Sequence, residues 1–265
     1  MHQIHNVVTD GVHYCTMNQV RPVADPKFIR ELVSATTISR GETFVFSSDH
    51  SEYFNLGGDL KFFVECIRKE NFAALKRYAL NCVRVMHNIA RKPEFTIAMV
   101  NGRAAGGGFE VLSAFDYIIA TVDSKFSLPE IKMNMFPGMG IYSLLSRRVG
   151  MQITHELITS GKTYSAEELK CLGVIDKVIE KFSYNEILNI RNADRYAALA
   201  RKNVMRHDRI QTLWLELQEG VMLWVDCVFK MNETDLSKID RIVAMQDRLF
   251  DCSWEPNEEI IMVGE

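Results

Sequence analysis

The chain has 265 residues, 47% of them hydrophobic, enough to bury a sizeable core as one large domain or as a core with an appendage. A formal charge of −3 and a pI of about 6.2, with Lys and Arg scattered along the chain, argue against nucleic acid or an anionic membrane surface as a partner. The six cysteines, Cys15, Cys66, Cys82, Cys171, Cys227 and Cys252, include no C-x-x-C pair, so a zinc or thioredoxin-type motif has no support and reduced, mostly buried thiols are expected.

The opening residues Met1-His2-Gln3-Ile4-His5-Asn6 lack a basic segment followed by an apolar run, and no apolar stretch approaches membrane-spanning length. The expectation is therefore a soluble cytoplasmic protein with no membrane insertion. Thr43-Phe44-Val45-Phe46-Ser47-Ser48 reads as a short buried strand. A helical stretch runs from Leu60 to about Ala90, with Leu75, Ala79, Cys82, Val83 and Met86 spaced for one buried face. Ile97-Ala98-Met99-Val100 is a second strand, stopping at the turn signal Asn101-Gly102, and Tyr117-Ile118-Ile119-Ala120-Thr121 is a third. Ser165-Ala166-Glu167-Glu168 matches a capping box, and Gly173 closes the short helix that follows. Val174-Ile175-Asp176-Lys177-Val178-Ile179 is a fourth strand. Strands alternating with helices imply an α/β core.

After about Phe182 the character changes. Residues 184–250 hold a single glycine, Gly220, and no proline, so long helices are expected. Trp214, Leu217, Val221, Trp224, Val225 and Val228 form an apolar stripe. It is either a helical bundle packed on the core or a subunit interface. Residues 253–265 read as a loose tail. The predicted division is a core with the active site over 1–182 and a helical region over 183–265, for oligomerisation and for covering the site.

Two glutamates carry the chemical signal: Glu110, closing Gly106-Gly107-Gly108-Phe109-Glu110, and Glu130, in Ser127-Leu128-Pro129-Glu130-Ile131. Two carboxyls facing one cavity can divide acid and base work. Glycines just before the first can present backbone N–H groups where negative charge is favoured. Proton transfer plus an anion site points to chemistry beside a carbonyl, with an enolate or oxyanion to stabilise. Each element also has a structural reading: a glycine run as a loop, Glu110 as a first-turn acid, Glu130 as a solvated residue after Pro129.

Three segments lie in order: Asn55-Leu56-Gly57-Gly58-Asp59-Leu60-Lys61, then Val100-Asn101-Gly102-Arg103-Ala104-Ala105-Gly106-Gly107-Gly108-Phe109-Glu110, then Leu128-Pro129-Glu130 running into Phe136-Pro137-Gly138-Met139-Gly140. From about Thr43 to Ile179 the chain resembles the crotonase (enoyl-CoA hydratase/isomerase) superfamily. Within it the wording is most similar to the bacterial diffusible signal factor synthases, as are Leu223-Trp224-Val225-Asp226 and Met245-Gln246-Asp247. The resemblance implies a ββα spiral core with a carboxy-terminal helical region. It implies an enzyme that dehydrates a 3-hydroxyacyl thioester to a cis-2-unsaturated product and then hydrolyses the thioester. The alternatives are an enoyl-CoA hydratase/isomerase, or a catalytically weak homologue that binds a partner.

Carried over by position, Gly58 and Gly107 form the oxyanion hole, and Glu110 and Glu130 are the catalytic carboxyls. Asn55, Leu56, Gly57, Leu60, Phe109, Leu128, Met135, Phe136 and Gly138 are expected to line the substrate site. Met133, Met135, Phe136 and Met139 are either core packing or an adaptable wall for an acyl chain. No cofactor or metal is expected beyond the acyl carrier protein or coenzyme A that bears the substrate. A homotrimer or hexamer and a sensor-kinase partner are further implications of the resemblance. Met17-Asn18-Gln19-Val20-Arg21-Pro22 is similar to the family's amino-terminal strand, with fewer residues than expected before the first glycine-rich segment.

Overall fold

In the computed structural model, which describes residues 2–38, 40–197, 199–200 and 210–250, the strands form two sheets. They are β1 (Ile4–Thr9), β2 (Val12–Met17), β3 (Thr43–Ser48), β4 (Tyr53–Asn55), β5 (Phe95–Val100), β6 (Arg103–Ala105), β7 (Tyr117–Thr121), β8 (Lys125–Ser127), β9 (Thr163–Ser165) and β10 (Lys177–Ile179). The larger sheet has the order β1-β2-β3-β5-β7-β10 and the smaller β4-β6-β8-β9. Helices α1 (Pro26–Thr37), α2 (Leu60–Arg68) and α3 (Phe72–Arg91) come from the first half of the chain.

The three central strands β3, β5 and β7 are buried at every position. That explains why they read as continuous β-branched and aromatic runs rather than alternating ones: helices cover both faces of a parallel sheet. One face packs on α1, α3 and the helix Ile210–Val228. The other packs Val45, Phe95, Ile97 and Ile119 on Ile187 and Ile190 of the helix Tyr184–Ala193. Residues beyond 183 therefore share both apolar clusters with the core.

Each turn of the chain places one strand in the large sheet, one short strand in the small sheet, and then a helical segment: β3-β4-α2-α3, then β5-β6 and the turns over 107–114, then β7-β8. This is a ββα spiral. Within it β4, β6 and β8 run parallel, with Asn55 opposite Ala104, Ala104 opposite Phe126 and Ala105 opposite Ser127. Parallel strands in register deliver the segments that follow them to the same edge. Residues 56–60, 106–110 and 128–130, remote in sequence, thus meet.

Several elements differ from the sequence expectation. The first two strands form an antiparallel hairpin around Asp10 and Gly11, both at positive φ (49° and 74°), the geometry an Asp-Gly pair favours. The strand near Met17–Pro22 ends at Met17, and residues 18–25 leave the sheet to pack on the first glycine-rich segment. The long helix expected from Leu60 to Ala90 is two helices. Glu70 turns left-handed (φ 52°) and Asn71 restarts the chain by accepting the Ala74 amide at 3.2 Å. The fourth strand begins only at Lys177, because Val174 and Ile175 are core residues and the Asp176 carboxylate accepts the Ile118 amide at 2.7 Å. The capping box is present, with Ser165 Oγ accepting the Glu168 amide at 3.2 Å and Glu168 accepting the Ser165 amide at 2.7 Å. Cys15, Cys66 and Cys82 are buried free thiols, Cys171 is exposed, and Cys252 and the tail over 253–265 lie outside the described residues.

The tryptophan stripe turns inward. Leu217, Val221, Trp224, Val225 and Val228 are buried. Trp224 meets Phe63 edge-on at 5.2 Å, and Trp214 lies beside His87 and Arg84 of α3. These residues pack on their own chain, which corrects the reading of the stripe as a subunit interface. The large apolar residues left outside on that helix are Leu215, Met222 and Leu223, 60%, 41% and 66% exposed. Trp224→Ala is expected to cost about 3–5 kcal/mol of folding stability, measured by urea denaturation. A loss below 1 kcal/mol would show that the helix contributes little to the core.

Candidate active site

The first wall is a pair of glycine turns. After β4 the chain reverses at Gly57, whose φ of 86° suits glycine. The turn is held from three sides: Asn55 Oδ1 accepts the Gly57 amide at 2.8 Å, Ala24 N–H donates to the Gly57 carbonyl at 2.7 Å, and Leu56 N–H donates to the Pro22 carbonyl at 2.7 Å. Asp59 then caps α2 by accepting the Phe62 amide at 3.2 Å. After β6, the Gly106 amide donates to the Ser127 carbonyl at 3.0 Å and the chain enters the single helical turn Gly107–Glu110. A Cβ on Gly57 would stand 2.7 Å from Gly107 N, and one on Gly107 would stand 3.7 Å from Gly58 N. The two turns are in direct contact. Among the described residues, the amides of Gly58 and Gly107 have no acceptor within the protein, and both residues border one cavity of about 330 Å³.

The carboxyls stand on the same cavity. Glu110 is 2% exposed and its Oε2 accepts the Met139 amide at 2.8 Å. Glu130 opens a 3-10 turn, Glu130–Met133, is 9% exposed, and its Oε2 is buried with no hydrogen-bond partner. Its other oxygen packs on Gly106, 2.7 Å from where a Cβ would sit. Burial, and then the charge of Glu130, hold Glu110 well above the usual carboxylate range, against the opposing pull of the Met139, Ile141 and Gly138 amides. Burial alone raises Glu130 from 4.5 to about 7. Burial makes the charged form the costly one, so both carboxyls hold a proton more readily than exposed ones do, and Glu130 changes its charge near neutral pH.

The rest of the cavity is lined mostly by apolar residues, with Arg103 and Lys132 also on the wall, and later parts of the chain add to it. Trp224 presses on the Pro137-Gly138 turn, its ring 2.7 Å from where a Gly138 Cβ would be. The helix Glu233–Phe250 contributes Ile242, Met245 and Leu249. That helix is paired with earlier parts of the chain through Arg21 to Asp247 at 2.6 Å and Arg68 to Asp240 at 2.8 Å, with Phe250 edge-on to Tyr53 at 5.5 Å. Among the described residues, no group of three or more His, Cys, Asp or Glu side chains could hold a metal ion.

Of the residues expected at the site, Leu56, Leu60, Met135 and Gly138 border the cavity with Gly58, Gly107, Glu110 and Glu130, and so do Met133 and Met139. Asn55, Gly57, Phe109, Leu128 and Phe136 do not, and local geometry accounts for each. Gly107 and Glu110 are three residues apart and share a helix face. Phe109 is on another face, buried against Phe126 at 5.5 Å. Ser127 and Pro129 reach the cavity while Leu128 between them points into the core, as the alternation of extended chain requires. Phe136 packs half-buried on the core. Asn55 and Gly57 stand behind the wall and shape it. Sequence reasoning missed Tyr78 and Cys82, four residues apart on α3, along with Phe63, and it gave the carboxy-terminal helices a covering role without naming Trp224, Ile242, Met245 or Leu249 as wall residues. Tyr78 and Cys82 lie on an apolar helical face that reads as plain core.

The sequence pattern of the family described as Enoyl-CoA hydratase/isomerase matches residues 9–209. Over 151 residues the chain is 31% identical to the fatty acid oxidation complex subunit alpha of Pseudomonas entomophila, covering 57% of this chain and 21% of that protein. Over 135 residues it is 30% identical to the human peroxisomal bifunctional enzyme, covering 51% of this chain and 17% of that one. The chain thus spans about a fifth of the length of the curated relatives it matches. Among solved structures, an enoyl-CoA hydratase from Bacillus halodurans superposes with a TM-score of 0.80 at 23% identity, covering 91% of this chain and 100% of that one. An enoyl-CoA hydratase/isomerase from Xanthobacter autotrophicus Py2 gives 0.75 at 20% identity, covering 94% and 96%. These two likenesses show a shared fold. With the family pattern covering most of the sequence, this chain belongs to the enoyl-CoA hydratase/isomerase, or crotonase, superfamily.

Proposed function

We propose that this protein removes water from a 3-hydroxyacyl thioester, and adds it in the reverse direction, using Glu110 and Glu130 as a proton-transferring pair and the Gly58 and Gly107 amides as an oxyanion hole. One observation carries the proposal: two amides without an acceptor and two buried carboxyls of raised proton affinity border a single cavity. The thioester oxygen accepts both amides, which stabilises the negative charge that builds on it as the Cα proton leaves. One carboxylate takes that proton. The other, still protonated, gives its proton to the departing hydroxyl, and water is released. Burial pushes the Cys82 thiol up to about 12, so it stays protonated and supplies no nucleophile. This chemistry calls for no cofactor beyond the thioester's own carrier.

The finer reading is a diffusible-signal-factor-synthase-like enzyme, in which the same hole then stabilises a tetrahedral oxyanion while a carboxylate activates water against the thioester carbon. The sequence wording of the three glycine- and glutamate-bearing segments supports it, and Glu130 Oε2 is an unengaged acceptor for that water. The reading in which the thioester survives is supported by the family pattern. Incubation with 3-hydroxyacyl carrier protein and with enoyl-CoA separates them. Release of free unsaturated acid favours the first, and hydration with no acid released favours the second.

Glu110→Gln and Glu130→Gln are each expected to lower kcat by roughly 10²–10⁴ with unchanged circular dichroism. Near-native turnover would remove that residue from the mechanism. A pH series adds a second check. Because the Glu130 pKa is higher in the folded protein, its contribution to stability is present below about pH 4.5 and is lost as pH rises through about 7. Glu130→Gln is therefore expected to melt above wild type at pH 8, by up to roughly 3 kcal/mol, with the gain vanishing near pH 4.5. A gain at acid pH instead would contradict the burial of this carboxyl.

A further inference from the structure

Asn55 is off the cavity wall, yet more of the site's geometry passes through it than through any catalytic candidate. Its side chain is 4% exposed and fully engaged: Oδ1 accepts the Gly57 amide at 2.8 Å and Nδ2 donates to Gln19 Oε1 at 3.3 Å. Gln19 is buried too, and its Nε2 donates to the Val23 carbonyl at 2.8 Å. Residue 24 follows, and its N–H holds the Gly57 carbonyl at 2.7 Å. That carbonyl belongs to the same peptide unit as the Gly58 amide, so what fixes one fixes the direction of the other. Tyr78 closes the ring from α3, its hydroxyl donating to the Ala24 carbonyl at 2.6 Å.

The backbone of the same residue sets the other half. Asn55 is paired with Ala104 in the register of β4 and β6, two residues before Gly106. Its carbonyl oxygen lies 2.1 Å from where a Gly108 Cβ would be, and its own Cβ 2.9 Å. Gly108 therefore rests directly on Asn55. We infer that Asn55 is a positioning residue: its side chain aims the Gly58 amide through the Gly57 turn, and its backbone sets the distance from that amide to Gly107. The inference rests on the oxyanion-hole reading above.

The test uses the full-length protein and a 2,4-dienoyl-CoA thioester, whose absorption moves to longer wavelength when its carbonyl is polarised by two converging donors. Wild type is expected to show this shift on binding. Asn55→Ala is expected to lose most of the shift and to lower kcat by roughly 10- to 100-fold, with KM changed by less than about threefold. Asn55→Asp keeps an acceptor for the Gly57 amide but loses the donor to Gln19, and should fall between the two. A purely structural role would lower the melting temperature without following that order in the spectrum. Full shift and full kcat in Asn55→Ala overturn the positioning role while leaving the oxyanion hole standing. No shift in wild type overturns the oxyanion hole itself, and this inference with it. Should Asn55→Ala not fold, Gln19→Met, which leaves Asn55 and its bond to the Gly57 amide in place and removes the Gln19 bonds to Asn55 and to the Val23 carbonyl, carries the test. A smaller loss in the same two readouts supports the role, and none overturns it.

Discussion

The contact between two glycine turns governs the site. Gly57-Gly58 and Gly107-Gly108 come within a Cβ of one another, and no side chain lies between them. That closeness lets two amides from distant parts of the sequence border one chamber. Three short parallel strands provide it, delivering the turns to one edge at matching heights. A Cβ on Gly57 would stand 2.7 Å from Gly107 N, and one on Gly108 would stand 2.1 Å from the Asn55 carbonyl oxygen, so a side chain at either position would drive the turns apart.

The second constraint is the burial of two acids. Two carboxyls with raised proton affinity are costly to bury, and the fold accommodates them unequally. Glu110 is held by the amide of Met139, while one oxygen of Glu130 is left without a partner. The first is fixed in place, and the second keeps one buried oxygen unengaged. Both border a chamber walled in part by residues with no chemistry of their own: Trp224 against the Pro137-Gly138 turn, and a last helix paired with Arg21 and Arg68. The carboxy-terminal region thus forms part of the chamber wall as well as part of the core.

Much of this was legible from residue order. The buried strands around Phe44, Ile97 and Ile118 stood out because β-branched and aromatic runs have few other uses. The cap at Ser165 was readable because capping is a local hydrogen-bond exchange within four residues. Glu110 and Gly107 could be named because three glycine- and glutamate-bearing segments stand in order along the chain, although each segment alone reads equally as a loop or a helix-start acid. The hairpin at Asp10-Gly11 and the break at Glu70-Asn71 were equally local, and their signals were present though passed over.

Tertiary structure decided what depends on direction and distance. Whether Phe109 meets substrate or core is settled by the rotation of one helical turn, and whether Leu128 does is settled by strand alternation at a point where the strand's register is set by β6 and β9. Tyr78 and Cys82 look like core until α3 is laid beside the glycine turns, and Asn55 looks like a wall residue until its partners Gln19 and Gly57 are seen. Residue types and local spacing determine which groups are available and which segments form. Only the packing of sheets and helices, acting over separations of tens of residues, determines which of those groups face the same space.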